Sequence, residues 1–244
     1  MTEQLNLPKL RSQLSFNEND ARPDPSIRVY PVSNYTFSVK QSQPEDDSNP
    51  LARSDRLRQY YEQNGMRRSC EGVIVCHDHG HPYVLMLQIG HNEFRLPGDF
   101  VSSEDDEIAG FKKGLDWRLA PDDLSLLEMD EDTRSLAESK EEWEIGDCLA
   151  QWYRPNFESF MYPFIPPHIT EPKECKKLYL VHLPQHKVLC IPKNMKVVAV
   201  PLFELYDNET KYGQEFAAIP LYLSRYNFEF IGSGSSRVVS RGDW

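Results

Sequence analysis

The chain has 244 residues, a hydrophobic fraction of 39% and a mean hydropathy of −0.60. It can bury one substantial core while leaving polar segments outside it. No run of roughly 18 apolar residues occurs and the start "MTEQLNLPKLRSQ" has no charged-then-apolar pattern, so a membrane span and a secretory leader are not expected. The net charge of −11 argues against a nucleic-acid partner only until its distribution is read. Residues 121–144 hold ten acidic and two basic side chains, which leaves the rest of the chain near −3.

Residues 1–28, with Pro8, Pro23 and Pro25 and little periodicity, read as a flexible arm. "SNPLARSDRLRQYYEQNG" follows as a helix marked at both ends. Asn49 can cap it, Pro50 suits the first helical position, and Gly65 suits the position after the end. "CEGVIVCHD" and "YVLMLQIG" form a hairpin around a turn containing Gly80 and Pro82. After "FRLPGDFVSS" comes a helix capped by Ser102 or Ser103, with Ile108, Phe111, Leu115 and Leu119 on one apolar face. Gly110 and Gly114 weaken that helix, each by about 1 kcal/mol relative to alanine. The acidic block reads as a solvated loop or helix face. "KKLYLVHL", "KVLCIP" and "KVVAVPLFELYDN" then give strands and a short helix, "PLYLSRYNF" a last helix, and residues 232–244 a flexible tail. This order predicts an α/β sandwich. Five cysteines without a C-x-x-C pair read as free thiols in a reducing compartment.

Catalytic signals are weak. "GDFVSSEDDEIAGFKKGLDWRLA" (98–120) begins as the catalytic loop and helix of the Nudix hydrolases begin. That pattern needs glutamates at i, i+3 and i+4 on one helix face to hold a divalent ion against a diphosphate. Those places hold Lys113, Asp116 and Trp117, and an ammonium repels the ion while an indole cannot ligate it. Glu104 remains, and one acid at a helix start serves as well to offset the helix dipole. No catalytic and no metal-binding residue is assigned. His77, His79 and His81 in "HDHGH" fit a hairpin turn better than a metal clip. No cofactor motif occurs.

Four blocks in order carry a more specific likeness: "YPVSNYTFSVK" (30–40), "GMRRSCEGVIVCHDH" (65–79), "WYRPNFESFMYPFIPPHITEPKECKKLYLV" (152–181) and "VPLFELYDNETKYG" (200–213). They resemble the small-subunit family of pre-mRNA cleavage factor I, over roughly residues 29–230. The resemblance implies a Nudix fold, a mixed β-sheet sandwiched between helices (α/β/α). It gives a domain over 29–231 with an acidic insertion at about 121–144. It further implies a nuclear, non-catalytic protein that binds single-stranded pre-mRNA containing UGUA. Its implied partners are a second copy of itself and a larger subunit with an RNA-recognition domain.

Carried over by position, the RNA contacts of that family fall on Glu45, Arg53, Glu71, Tyr212 and Gly213. Read alone, Arg53 is a solvated helix residue, Glu71 a sheet ion-pair partner of Arg67 or Arg68, and Tyr212-Gly213 a turn. Glu45 sits in a loop that does not itself resemble the family's. The family stacks a base on the first residue of a Phe-Phe pair, and here that pair is Glu93-Phe94. A carboxylate there loses the stack, worth about 1–3 kcal/mol, and repels phosphate. Phe94 reads as core and would take over stacking only through a change of register. The aromatic run around Arg154 reads as packing or a protein interface. A protein scaffold with decayed RNA readout is the alternative function, and a divergent nucleotide hydrolase the third.

Overall fold

Alternation along three central strands builds the molecule. The computed structural model describes residues 25–43, 49–90, 93–139, 142–158, 160–232 and 237–239. In chain order the strands are β1 (Ser26–Val29), β2 (Tyr35–Lys40), β3 (Arg67–Asp78), β4 (His81–Ile89), β5 (Glu93–Arg95) and β6 (Gly98–Val101). They continue as β7 (Glu144–Arg154), β8 (Glu174–His182), β9 (Lys187–Pro192), β10 (Met195–Pro201), β11 (Asn227–Phe230) and β12 (Arg237–Val239). The central sheet runs β10-β4-β3-β8-β7, with β5 on β4 and β6 on β3. The β3–β8 pair is parallel and its neighbours are antiparallel, so the sheet is mixed.

Both faces of this sheet are covered, and period-2 alternation sends neighbours to opposite cores. Val73, Val75, Val84, Met86, Leu178 and Leu180 join one cluster. Ile74, Cys76, Leu85, Leu87, Tyr179 and Val181 join the other. The helices are α1 (Pro50–Asn64), α2 (Glu107–Leu119), α3 (Asp123–Glu128), α4 (Glu131–Glu138) and the short α5 (Leu202–Leu205), α6 (Glu209–Tyr212), α7 (Gln214–Ala217) and α8 (Ile219–Leu223). Phe111, Leu115 and Leu119 of α2 pack into the second core, and Leu205, Tyr212, Phe216, Ile219 and Leu223 into the first. Helices thus lie on both faces, as the α/β/α expectation requires.

The ends of α1 follow the sequence reading. The Asn49 side chain accepts from Ala52 N at 2.8 Å, Pro50 opens the helix, and Gly65 has φ +76°. Other expectations shift. Ile27 and Val29 are buried and β1 runs parallel to β11, so the last part of the stretch read as an arm is a strand of the domain. Within the expected tail, Arg237–Val239 pair with β11. The turn of the β3–β4 hairpin is His79-Gly80, both with positive φ, while Pro82 lies in β4 opposite His77. Helix α2 is capped by Asp106 rather than Ser102 or Ser103, its carboxylate accepting from Ile108 N and Ala109 N at 3.2 Å. Arg68 on β3 bonds the Ser102 and Asp105 carbonyls, which holds the preceding turn out of the helix.

Gly110 and Gly114 are packing residues. A Cβ on Gly110 would meet Val101 Cγ1 at 2.7 Å, and one on Gly114 would meet Asp99 Cβ at 3.2 Å. They let α2 lie close on β6. The acidic segment folds as α3 and α4, capped by Asp122 and Asp130, and Arg134 donates to the Leu126 carbonyl at 2.8 Å. Its acids therefore cap helices as well as face water. Among the described residues no helix is long and apolar enough to cross a membrane.

Candidate nucleic-acid interface

A cleft of about 1160 Å³ opens over the polar starts of β3, β6 and β8. Alternation puts Arg67, Ser69 and Glu71 of β3 on this side. Phe100 and Gly98 of β6 sit opposite Ser69 and Glu71, and Glu174 and Lys176 of β8 opposite Arg67 and Ser69. Helix α1, strand β5 and the α6–α7 turn form its walls. The lining carries as many cations as acids, unlike the −11 chain as a whole. A local surface tolerant of phosphate therefore exists within an acidic protein.

The floor holds a buried ion pair. Arg154 Nε donates to Glu174 Oε2 at 2.8 Å, and the Ser69 hydroxyl donates to Glu174 Oε1 at 2.5 Å. Burial alone would push the Glu174 carboxyl up. The Arg154 and Arg67 guanidiniums and the Ser69 hydroxyl outweigh it and hold the group down at about 2.

Beside this pair, Lys176 Nζ bridges Glu71 Oε1 at 3.1 Å and Glu215 Oε2 at 2.9 Å. Burial would pull the Lys176 ammonium down, but Glu71, Glu215 and Glu174 around it push it up. One lysine cannot neutralise both Glu71 and Glu215, and burial pushes the Glu71 carboxyl up despite Lys176. Glu71 Oε2 is buried and has no hydrogen-bond partner. An oxygen of this kind has hydrogen-bonding capacity left for a base edge.

Of the expected site residues, Arg53, Glu71, Phe94, Tyr212 and Gly213 all line this one cleft. Glu45 lies outside the described residues. Arg53 is exposed on α1 and makes no side-chain hydrogen bond or ion pair with another described residue. Partial burial and then Arg154 and Arg95 pull its guanidinium down. The partner of Glu71 is Lys176, not Arg67 or Arg68, because Lys176 shares its face of the sheet on the adjacent strand β8. The Phe94 and Tyr212 rings meet at 4.9 Å, and Tyr212 is 7% exposed, its hydroxyl donating to Glu204 Oε1 at 2.5 Å. Phe94 is half-buried against the core and lines the cleft as well. Gly213 has φ +86°, so the turn after α6 uses glycine's freedom. Glu93 is exposed, and Arg95, two residues on and on the same strand face, binds its Oε1 at 2.6 Å. The repulsion expected from Glu93 is thereby offset.

Sequence reading missed Arg67, Phe100, Lys176 and Glu215. The polar alternation Arg67-Ser69-Glu71 and Glu174-Lys176 at the starts of two core strands was the available signal. Arg67 lies over the Phe100 ring at 5.3 Å, Tyr60 meets that ring edge-on at 5.0 Å, and Arg67 Nε is buried without a partner.

The Nudix helix differs in kind. Lys113 binds Asp105 at 2.8 Å, Asp116 accepts the Trp143 indole N–H at 2.7 Å, and Trp117 is 59% exposed. Glu107 is taken by Lys177 at 2.8 Å and by the Tyr179 hydroxyl. Among the described residues no three His, Cys, Asp or Glu side chains converge as a metal site would require. His77 is buried, its Nε2 3.0 Å from the Ile231 carbonyl.

Sheet, helix and cleft together define a Nudix-type domain, and the Nudix family model described as nucleotide hydrolase matches residues 25–226. Pre-mRNA cleavage factor Im 25 kDa subunit 2 of Arabidopsis thaliana is 42% identical over 207 residues, 85% of this chain and 97% of that protein. Cleavage and polyadenylation specificity factor subunit 5 of Dictyostelium discoideum is 38% identical over 209 residues, covering 84% and 98%. Subunit 1 of the Arabidopsis factor is 38% identical over 220 residues, covering 90% and 93%. The chain belongs to the Nudix family and, within it, to the family of these 25 kDa cleavage-factor subunits.

Proposed function

We propose that this chain is a non-hydrolysing Nudix-fold subunit of the pre-mRNA 3′-end cleavage and polyadenylation machinery, and that it holds UGUA-type single-stranded RNA in the cleft over β3, β6 and β8. The observation that carries the reading is convergence. Arg53, Glu71, Phe94 and the Tyr212-Gly213 pair, far apart in sequence, line one cavity, and the Oε2 of Glu71 is buried there without a partner. Arg53 offers a charge for phosphate, Glu71 reads a base edge, and the aromatic rings offer stacking surfaces. Glu45 belongs to this set through the family resemblance alone. Action in the nucleus, self-association as a homodimer and pairing with a larger subunit that carries an RNA-recognition domain complete the proposal. The names of the relatives support a place among the subunits of a pre-mRNA cleavage factor, and the rest is supported by the family resemblance alone.

The absence of hydrolysis is supported by how the Nudix helix is used, since Lys113 and Asp116 are engaged with Asp105 and Trp143. A Mg²⁺-dependent release assay on dinucleoside polyphosphates is expected to give no product. Turnover would return the chain to the hydrolases named by the family description.

RNA binding is tested by fluorescence anisotropy with a UGUA oligomer and a scrambled one at two salt concentrations. A preference for UGUA that Glu71→Ala abolishes supports specific readout. Equal weak binding that vanishes with salt leaves phosphate electrostatics only. That outcome would favour a protein scaffold, a reading supported by exposed Leu124 and Leu127 on the acidic helix α3.

A further inference from the structure

Glu93 occupies the place from which the family stacks a base, and the neighbouring Phe94 is closed against Tyr212. The cleft contains a second aromatic station. Phe100 is half-buried on β6, the Arg67 guanidinium lies over its ring at 5.3 Å, and the Tyr60 ring stands nearly perpendicular to it at 5.0 Å. Guanidinium and aromatic planes both stack bases, and a stacked Arg–Phe pair offers the two together.

Phe100 lies opposite Ser69, and Gly98 lies opposite Glu71. Phe100 and Glu71 are therefore diagonal neighbours on one sheet face, about 7–8 Å apart. Gly98 between them has no side chain and cannot gain one. Its φ is +151° and a Cβ would fall 2.2 Å from the Cys70 carbonyl oxygen. The β6 backbone therefore approaches β3 closely beside Glu71, where Glu71 Oε2 and Arg67 Nε are both buried without a partner.

We propose that the Arg67–Phe100 stack is the nucleobase platform of this cleft, seating one base of the RNA with its edge toward Glu71. The inference rests on the RNA-binding reading above and names the subsite within it. The aromatic function missing at position 93 is met from a different strand.

Anisotropy titrations of the full chain test it, using UGUA RNA and four versions each abasic at one UGUA position. Phe100→Ala and Phe100→Leu, the latter keeping packing bulk, are each expected to weaken UGUA binding roughly 5- to 150-fold. Phe100→Trp is expected to retain it. One abasic oligomer is expected to bind wild type and Phe100→Ala equally, because the partner of the ring is already gone. Undiminished UGUA binding by both Phe100→Ala and Phe100→Leu overturns the proposal. So does a Phe100→Ala loss that persists on all four abasic oligomers, which marks the ring as merely structural. A wild type that does not prefer UGUA to a scrambled oligomer removes the RNA reading and the platform together. A wild type that prefers it, with Phe100 variants unchanged, removes the platform alone.

Discussion

The outer face of α2 and the floor of the cleft are built from similar charged side chains, yet they end in opposite states. On α2, Lys113, Asp116 and Glu107 have each found a partner within the chain. In the cleft, Arg154 and Glu174 pair, but Glu71 Oε2 and Arg67 Nε stay unpartnered and Arg53 has no described partner. Buried polar atoms left unpaired cost stability. On the proposal above, the unsatisfied region is the one that meets a ligand, and the satisfied one serves the fold.

The largest test of that contrast compares two arginines lining the same cleft. Arg154→Ala strips the buried Glu174 carboxylate of its direct ion-pair partner and is expected to cost about 3 kcal/mol in denaturant unfolding, the Ser69 bond remaining. Arg53→Ala is expected to change stability by no more than roughly 0.5 kcal/mol while weakening RNA binding and lowering its salt dependence. Equal stability losses would erase the distinction between structural and ligand-facing charge. The pair also has an acid signature. Glu174 is held near 2 against an ordinary 4.5, so its contribution is present above about pH 4.5 and is lost as pH falls toward 2.

A middle-sized effect sharpens the comparison from the other side. Asp116→Ala strands the indole N–H of Trp143, which is 4% exposed, and is expected to cost about 1–3 kcal/mol. RNA affinity should stay unchanged. If Asp116→Ala weakened RNA binding as well, the Nudix helix would belong to the ligand site after all.

How much of this was legible follows from the distance between partners. The ends of α1 were readable because Asn49, Pro50 and Gly65 act within one helical turn of the ends they set. The alternating strands were readable because their period is local. The Asp106 cap was not, since Arg68 on another strand decides where the turn before α2 stops. Strand β1 was missed because its partner β11 lies at the far end of the domain. Lys176 was missed because its importance comes from facing Glu71 across the β3–β8 pair, which no short window contains.

The smallest effect tests how fully the α2 region is closed. Lys40 is 6% exposed and donates to the Trp117 and Ala120 carbonyls at 2.8 Å, capping the end of α2. Burial pulls its ammonium down to about 8 from an ordinary 10.5, against Cys190 and Asp122. Between those values the unfolded chain binds the proton that the folded chain has released, so this group makes stability rise with pH. Burial pushes Cys70 and Cys76 up to about 12, and those thiols make stability fall as pH rises through the ordinary cysteine range. The opposing terms cancel in a difference. Wild type minus Lys40→Met, measured by urea unfolding, is expected to grow by about 1 kcal/mol from pH 7 to 9. A flat difference would mean that water reaches Lys40, and that the end of α2 is as open as the cleft.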